Sequence, residues 1–402
     1  MQLLTKDMCC GCEACANSCP IKCISMEMDQ EGFLYPNVDG QKCILCGKCR
    51  KSCPVINNTE EKPFQQKGYL VQHNNSRILQ ESTSGGAFTA IAEYVLKNNG
   101  VVFGAAFSKC WEVRHIAIEN IEELYQLRNS KYVQSSIGDT YQQVLKHLKN
   151  GRFVCFSGTP CQIEGLLTFL SNDYEKLLTV DIVCHSVPSP GLWKRYVDYL
   201  TDRLQTRVQS IKFREKVYGY KYSVLVLRDN NEKIQYAEGI DTDPYMRAFF
   251  SDVSVRPSCY NCQFKKRYRK SDFTIWDCFN AYDFSKKMDN NKGTTRVLIH
   301  TDKGDEIFEE IKEQFQYVKV QPDKLVNNVH EMIQSVRMNP YRTVFFEDYS
   351  NMDVSQLFEK YYPKTMKTRL EKGIRIFCAK TGIYGVAIRL YKCIFRGARR
   401  NR

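Results

Sequence analysis

Between Cys9 and Pro54 the chain spells one pattern twice. Cys9, Cys12, Cys15 and Cys19, closed by Pro20, follow C-x2-C-x2-C-x3-C-P, and Cys43, Cys46, Cys49 and Cys53, closed by Pro54, repeat it. Few folds can satisfy eight thiols so placed. Three thiolates on one tight loop can each meet a different iron of a 4Fe–4S cubane, while the fourth points away and completes a second cluster. The spacing therefore assigns Cys9, Cys12, Cys15 and Cys53 to one cluster, and Cys43, Cys46, Cys49 and Cys19 to the other. Cys10 and Cys23 stand off the pattern and read as non-ligands. Zinc sites use pairs of C-x2-C rather than runs of four closed by proline. Disulfides suit secreted chains, and a first cysteine at position 9 leaves no room for a leader, so a reducing cytoplasm is the expected setting.

The 402 residues allow two or three domains, and 43% hydrophobic content is enough for a sizeable core. No apolar run reaches the length of a membrane span. The net charge of +13 is unevenly spread: from Lys364 to Arg402 twelve Lys or Arg face one acidic residue, Glu371. A body so close to neutral is a poor match for a nucleic-acid-binding enzyme. The basic end reads as a solvated tail or as a segment lying on an anionic membrane face. From Thr381 to Phe395 its apolar residues, among them Ile383, Val386, Ile388, Leu390 and Ile394, alternate with basic ones.

Taken in order, residues 1–57 form a two-cluster module, with a short hairpin over Ile24–Pro36 turning near Gly32. Residues 58–67 are polar, contain Pro63 and read as a linker. From Gly68 strands and helices alternate. Strands are expected at Tyr69–Val71, Gly100–Phe107, Arg152–Phe156, Leu178–Cys184, Tyr222–Leu227, Asp272–Trp276 and Arg296–His300. Helices are expected after Ser82–Gly86, over Tyr141–Lys149, after Cys161 and over Asp305–Phe315. Ligands are thus expected on loops that follow strands. The expected fold is an α+β ferredoxin-like domain, then a larger α/β domain with a mixed sheet over 68–345, then a basic helical or disordered tail over 346–402.

Four body cysteines sit on such loops: Cys161, Cys184 and the pair Cys259-x2-Cys262. Together they could close a four-thiolate site for a third 4Fe–4S cluster or for zinc, or they could be buried structural thiols.

Several stretches in fixed order carry a resemblance. They are Ser84-Gly85-Gly86, Ser130-Lys131-Tyr132-Val133-Gln134-Ser135, Gly158-Thr159-Pro160-Cys161-Gln162, Cys184-His185-Ser186, Arg256-Pro257-Ser258-Cys259-Tyr260-Asn261-Cys262 and Lys292-Gly293-Thr294. Over roughly residues 1–345 the chain resembles the coenzyme F-420 hydrogenase/dehydrogenase beta-subunit family, preceded by a bacterial-type ferredoxin domain. The resemblance implies an iron–sulfur flavoprotein oxidoreductase passing electrons between clusters, FAD and a two-electron organic substrate such as the deazaflavin coenzyme. Versions with an N-terminal ferredoxin domain also occur among bacterial exopolysaccharide-synthesis proteins, which would make the substrate a glycan precursor. A redox donor or acceptor protein is the implied partner. The rival reading is a flavin-free relay serving a partner enzyme.

Carried over by position, Cys161, Cys184, Cys259 and Cys262 match the family's cluster ligands. Ser84, Gly85, Gly86, Lys131, Gln134, Ser135, Gly158, Thr159 and Pro160 match stretches that line the flavin. Glycine and hydroxyl residues let backbone amides approach a pyrophosphate, although Ser84-Gly85-Gly86 alone would read as a helix cap. His185 is either the candidate for proton transfer at the flavin or a histidine bonded to nearby backbone. The chain departs from the family at Ser186, where glycine is usual, and at Ile275–Asn280, where Gly-Asp-Phe-Trp-Gly is usual.

Overall fold

The structure, a computed structural model, describes residues 3–384. Its strands are β1 (Ile24–Met28), β2 (Leu34–Val38), β3 (Lys67–His73), β4 (Val101–Phe107), β5 (Val113–Ile118), β6 (Val154–Gly158) and β7 (Leu177–Ile182). After these come β8 (Val208–Glu215), β9 (Val224–Asp229), β10 (Ile234–Gly239), β11 (Phe273–Asp277), β12 (Thr295–Ile299) and β13 (Phe315–Val320). Strands β1 and β2 form the N-terminal hairpin, whose turn contains Gly32 at φ 80°.

Eight strands make the central sheet, in the order β13-β3-β12-β11-β7-β6-β4-β5. The run β11-β7-β6-β4 is parallel, while β12, β3 and β13 on one side and β5 on the other are antiparallel to their neighbours. Strand side chains alternate between faces. Val102, Cys155, Leu178 and Val180 face a core completed by the helices Ala87–Lys97 and Asp302–Ile311. Val101, Phe103, Val154, Phe156 and Leu177 face the opposite core, with the helices Thr140–Lys149 and Pro160–Leu170. That second core also contains Cys10, Cys12, Ala14 and Val55, so the N-terminal module is packed into the body.

A three-stranded antiparallel sheet, β10-β9-β8, lies apart from the central one. Ile211, Phe213, Leu225 and Leu227 pack with the helix Pro190–Leu204 and with Phe345, Phe346, Tyr349, Leu357 and Phe358. Phe346 and the residues after it are numbered within the expected tail. On the other face Val224 and Val226 meet Cys378 and Tyr384, and the helix Met366–Lys380 is pinned by Lys364 and Lys372 to Glu238 and by Arg375 to Asp241. The apolar positions Val386, Ile388, Leu390 and Ile394, and Cys393, lie outside the described residues; Ile383 is exposed. Among the described residues no helix is long and apolar enough to cross a membrane.

The stretch 58–66 is held along its length. Lys266 Nζ donates to Asn58 Oδ1 (2.6 Å) and to the Thr59 carbonyl (2.8 Å). The Glu61 carboxylate accepts the backbone N–H groups of Arg267 and Tyr268. Gln66 Nε2 bonds His300 Nδ1 (2.9 Å) just past the end of β12.

Candidate functional site

Each N-terminal cysteine run folds as a tight loop feeding a short helix. Gly11 and Glu13 in the first run, and Leu45 and Gly47 in the second, all take positive φ, between 54° and 72°. That curl lets thiols three residues apart point to one side. Burial pushes the Cys15 thiol up to about 12, and the neighbouring charges of Cys9, Cys53 and Cys49 add to the effect. Burial raises Cys53 too, with Cys9 contributing. Cys9, Cys12, Cys15 and Cys53 thus occupy one neighbourhood. In the second run burial raises Cys49, with Cys46 and Cys43 adding. Cys23 Sγ lies 3.4 Å from Cys19 Sγ, and the Cys23 backbone N–H points at that sulfur. Cys23 is therefore placed to donate to the Cys19 sulfur, a candidate ligand.

The four body cysteines come together although 101 positions separate Cys161 from Cys262 in the sequence. Strand β6 ends at Gly158, and Thr159 caps the next helix in a capping box with Gln162, which sets Cys161 in the first turn. Strand β7 ends just before Cys184, and Cys259 and Cys262 lie on a turn begun by Pro257. All four line one cavity of about 40 Å³. Burial raises the Cys184 thiol to about 12, reinforced by Cys161 and Cys262 and opposed by Lys265. Cys10 also lines this cavity. Its thiol is pushed up, first by its contact with Cys12, while Cys161 on its other side acts in the opposite sense. Cys10 therefore stands between the two thiol groups. Among the described residues no three His, Cys, Asp or Glu converge as ligands to a single ion. A cubane spreads its four thiolates over four irons, so sulfurs arranged around a small void suit it better than sulfurs meeting at a point.

A second cavity of about 630 Å³ opens at the C-terminal ends of β6, β7 and β11. Ser84, Gly86, Lys131, Gln134, Ser135, Gly158 and Thr159 line it, and Cys184, His185, Ser186 and Val187 belong to both cavities. Its size is that of a cofactor or ligand site. In its walls Ser186 Oγ, Arg214 Nη2 and Trp276 Nε1 are buried without a hydrogen-bond partner among the described residues.

Two expected flavin residues face elsewhere. Pro160 lines the smaller cavity. The Gly85 amide donates to Thr295 Oγ1 (2.7 Å), and a Cβ there would lie 2.1 Å from the Val71 carbonyl. Gly85 is needed for sheet packing, not for approach to a ligand in the larger cavity. The His185 ring is held by Asp252, Nε2 to Oδ1 at 2.7 Å, with Phe249 edge-on at 5.4 Å. Burial lowers Lys131 to about 7, and its Nζ donates to the Gln126 and Arg128 carbonyls.

The residue that joins these parts was quoted in a motif but given no role from sequence. Arg256 is fully buried; Nε donates to the Cys9 carbonyl (2.7 Å), Nη2 to the Leu34 carbonyl (3.0 Å) and Nη1 to Gln134 Oε1 (2.9 Å). Nη2 also lies 3.8 Å from Cys9 Sγ, and the guanidinium stacks over Tyr35 at 4.1 Å. Gln134, a wall of the larger cavity, donates in turn to the Cys10 carbonyl (3.0 Å). Glu13 clasps the body from the other side, accepting the backbone N–H groups of Ile137 and Gly138. The position of Arg256 three residues before a cysteine pair was the only hint in the sequence.

Residues 69–140 match the N-terminal region of the coenzyme F420 hydrogenase/dehydrogenase beta subunit, and residues 151–324 match its C-terminal region. The chain belongs to this family. Within the beta-subunit family and its relatives, it is 23% identical over 319 residues to the coenzyme F420-dependent sulfite reductase of Methanocaldococcus jannaschii, covering 76% of this chain and 46% of that protein. The N-terminal cysteine-rich region resembles ferredoxin-type 4Fe–4S domains. The NADH-quinone oxidoreductase subunit I 2 of Geobacter metallireducens is 41% identical over 56 residues, 13% of this chain and 43% of that one. The chain thus spans less than half the length of these two relatives. A subunit of the F420-reducing [NiFe] hydrogenase complex from Methanosarcina barkeri superposes with a TM-score of 0.43 at 14% identity, covering 77% of this chain and 97% of that one.

Proposed function

We propose that this beta-subunit family member is an iron–sulfur flavin-dependent oxidoreductase. Cys9, Cys12, Cys15 and Cys53 would hold one 4Fe–4S cluster, Cys43, Cys46, Cys49 and Cys19 a second, and Cys161, Cys184, Cys259 and Cys262 a third. The larger cavity would hold FAD, with Ser84, Gly86, Lys131, Gln134, Ser135, Gly158 and Thr159 along it. The observation that carries this reading is adjacency. The body cysteines border Cys10 and the first cysteine run on one side, and share a wall with the larger cavity on the other. Clusters handle single electrons and flavin converts them to pairs, which is the chemistry these groups supply together.

The chain's own residues do the rest. Arg256 offsets thiolate charge and fixes the first run against the body. The Asp252 carboxylate orients His185 at the wall common to both cavities, where its ring can hold or pass a proton. The wall formed by Trp276, Asp277, Phe279 and Asn280, where the chain departs from the family pattern, bounds the space left for substrate. A deazaflavin of the kind named in its relatives is the first substrate to try.

Protein purified without oxygen should contain about twelve irons and one flavin per chain if three cubanes and FAD are bound. Replacing Cys161 and Cys262 by serine should remove about four of the irons and leave the N-terminal eight. Iron for three cubanes with no flavin band after reconstitution with FAD would leave an electron relay in place of the flavoprotein. Zinc in place of iron would refute the cluster reading.

A further inference from the structure

The two cysteine runs repeat in conformation as well as in spelling, yet only one is covered. In the first, Cys10 and Gly11 face inward; a Cβ on Gly11 would lie 2.7 Å from Arg256 Nη1 and 2.8 Å from Gln134 Nε2. The residues at the same places in the second run are Ile44 and Leu45, and they face solvent at 62% and 76% exposure. Leu45 keeps the positive φ of Gly11, 54° against 68°, a conformation that leucine rarely takes. Gly47, which follows Cys46, has nothing within 4 Å of where its Cβ would be. Cys46 is itself exposed.

Around this bare loop Lys42, Lys48, Arg50 and Lys51 are all exposed. Lys42 pairs with Asp39, while Lys48, Arg50 and Lys51 have no carboxylate partner among the described residues. The face therefore has an apolar tip at Ile44 and Leu45, an exposed candidate ligand next to it at Cys46, and three unpaired positive charges on the short helix that follows.

We propose that this face is the port at which a small acidic electron-carrier protein docks, so that the second run does for an outside partner what the first does for the body. The proposal rests on the cluster reading above. One electron leaves the carrier and enters the chain at each encounter, and no bond is made or broken. Apolar contact over Ile44 and Leu45 would exclude water at the point of closest approach. Lys48, Arg50 and Lys51 would steer an anionic carrier toward it, and a small, transient interface suffices for such exchange.

The test uses the full-length holoprotein and reduced flavodoxin, an acidic one-electron carrier, as probe. Combining Lys48→Glu, Arg50→Glu and Lys51→Glu should slow reduction by flavodoxin about tenfold or more at low ionic strength, and added salt should narrow the difference. Reduction by photoreduced 5-deazariboflavin, which is neutral, should be unchanged. Leu45→Gly keeps the loop conformation and should weaken flavodoxin binding with little dependence on salt. Iron content is read first. Wild-type protein that holds no iron at this run refutes the clusters themselves, whereas iron-replete variants that accept electrons from flavodoxin at the wild-type rate overturn the docking face.

Discussion

A guanidinium buried without a carboxylate must find its compensation elsewhere, and Arg256 finds it in three oxygen acceptors, a cysteine sulfur and the ring of Tyr35. Lysine cannot reproduce that planar fork. Arg256→Lys should leave at least one buried acceptor unserved and lower stability by about 2 kcal/mol or more. Denaturant unfolding would measure this, and faster amide exchange over residues 9–15 would locate it; an unchanged exchange pattern would show that Arg256 does not hold the first run. His115 offers a cleaner test of burial. Its Nε2 meets the Ser157 carbonyl at 2.9 Å, its Nδ1 meets Ser135 Oγ at 3.1 Å, and burial lowers its pKa to about 4. The folded state therefore keeps this ring neutral where the unfolded chain protonates it near 6.5. Its effect on stability is nil above about 6.5, and stability falls by about 3 kcal/mol as pH drops from there toward 4. Imidazole resonances should show His115 neutral at pH 5; titration near 6.5 would mean that the site is wetter than its packing implies.

Two glycines separate packing from binding at the level of elements. Gly85→Val should prevent folding, because its side chain would run into the Val71 carbonyl of β3. Gly158→Val, at the end of β6, meets only the Gln162 side chain and the edge of Phe156, at 3.1 Å or more, and lines the larger cavity. It should fold, with unchanged far-ultraviolet circular dichroism, and lose most of its flavin; full flavin occupancy would move the ligand away from β6. The elements that sequence revealed are those with a strong period or a hard stop. Strands β4, β6, β7, β11 and β12 are apolar runs buried on both faces, and Gly86 and Thr159 announce the helices after them. Strand β13 is not among the expected strands, and the helix expected to reach Phe315 overlaps only its first residue, because Phe315, Tyr317, Val318 and Val320 sit on an edge strand that is half exposed and reads weakly. The helix Pro190–Leu204 was missed although Ser189 caps it through the Leu192 amide. Its charged face dilutes the apolar stripe of Leu192, Trp193, Tyr196, Val197 and Leu200. Cysteine spacing conveyed which thiols of the N-terminal runs lie near one another, since each run is one tight loop. It could not convey Arg256 or the pairing of Glu13 with Ile137 and Gly138, which depend on how two distant segments meet.

For the molecule as a whole, the basic end packs against the body over its described residues, up to 384. Lys364, Lys372 and Arg375 are spent on Glu238 and Asp241, and Cys378 covers Val224 and Val226. Deleting 364–402 should therefore lower the melting temperature by about one to two degrees, as expected when about 1–2 kcal/mol of burial is lost from a protein this size. Deleting 385–402 keeps the helix Met366–Lys380 in place and is the proper test of binding to anionic vesicles. If the longer deletion melts like the intact chain, the helix Met366–Lys380 contributes no stability where it sits. The stitching of the N-terminal module to the body has a different consequence. Besides Arg256 and Glu13, Arg342 grips the Glu31 carboxylate with both Nη atoms, and the Gly191 amide bonds the Gly32 carbonyl where the two backbones cross closely enough to exclude any side chain. Residues 58–66 therefore restrain nothing that would otherwise swing. The chain is wired rather than tethered: electrons handed between its cysteine groups, as proposed, would have no arm to wait for, and neither a thicker solvent nor a longer connection should change their pace.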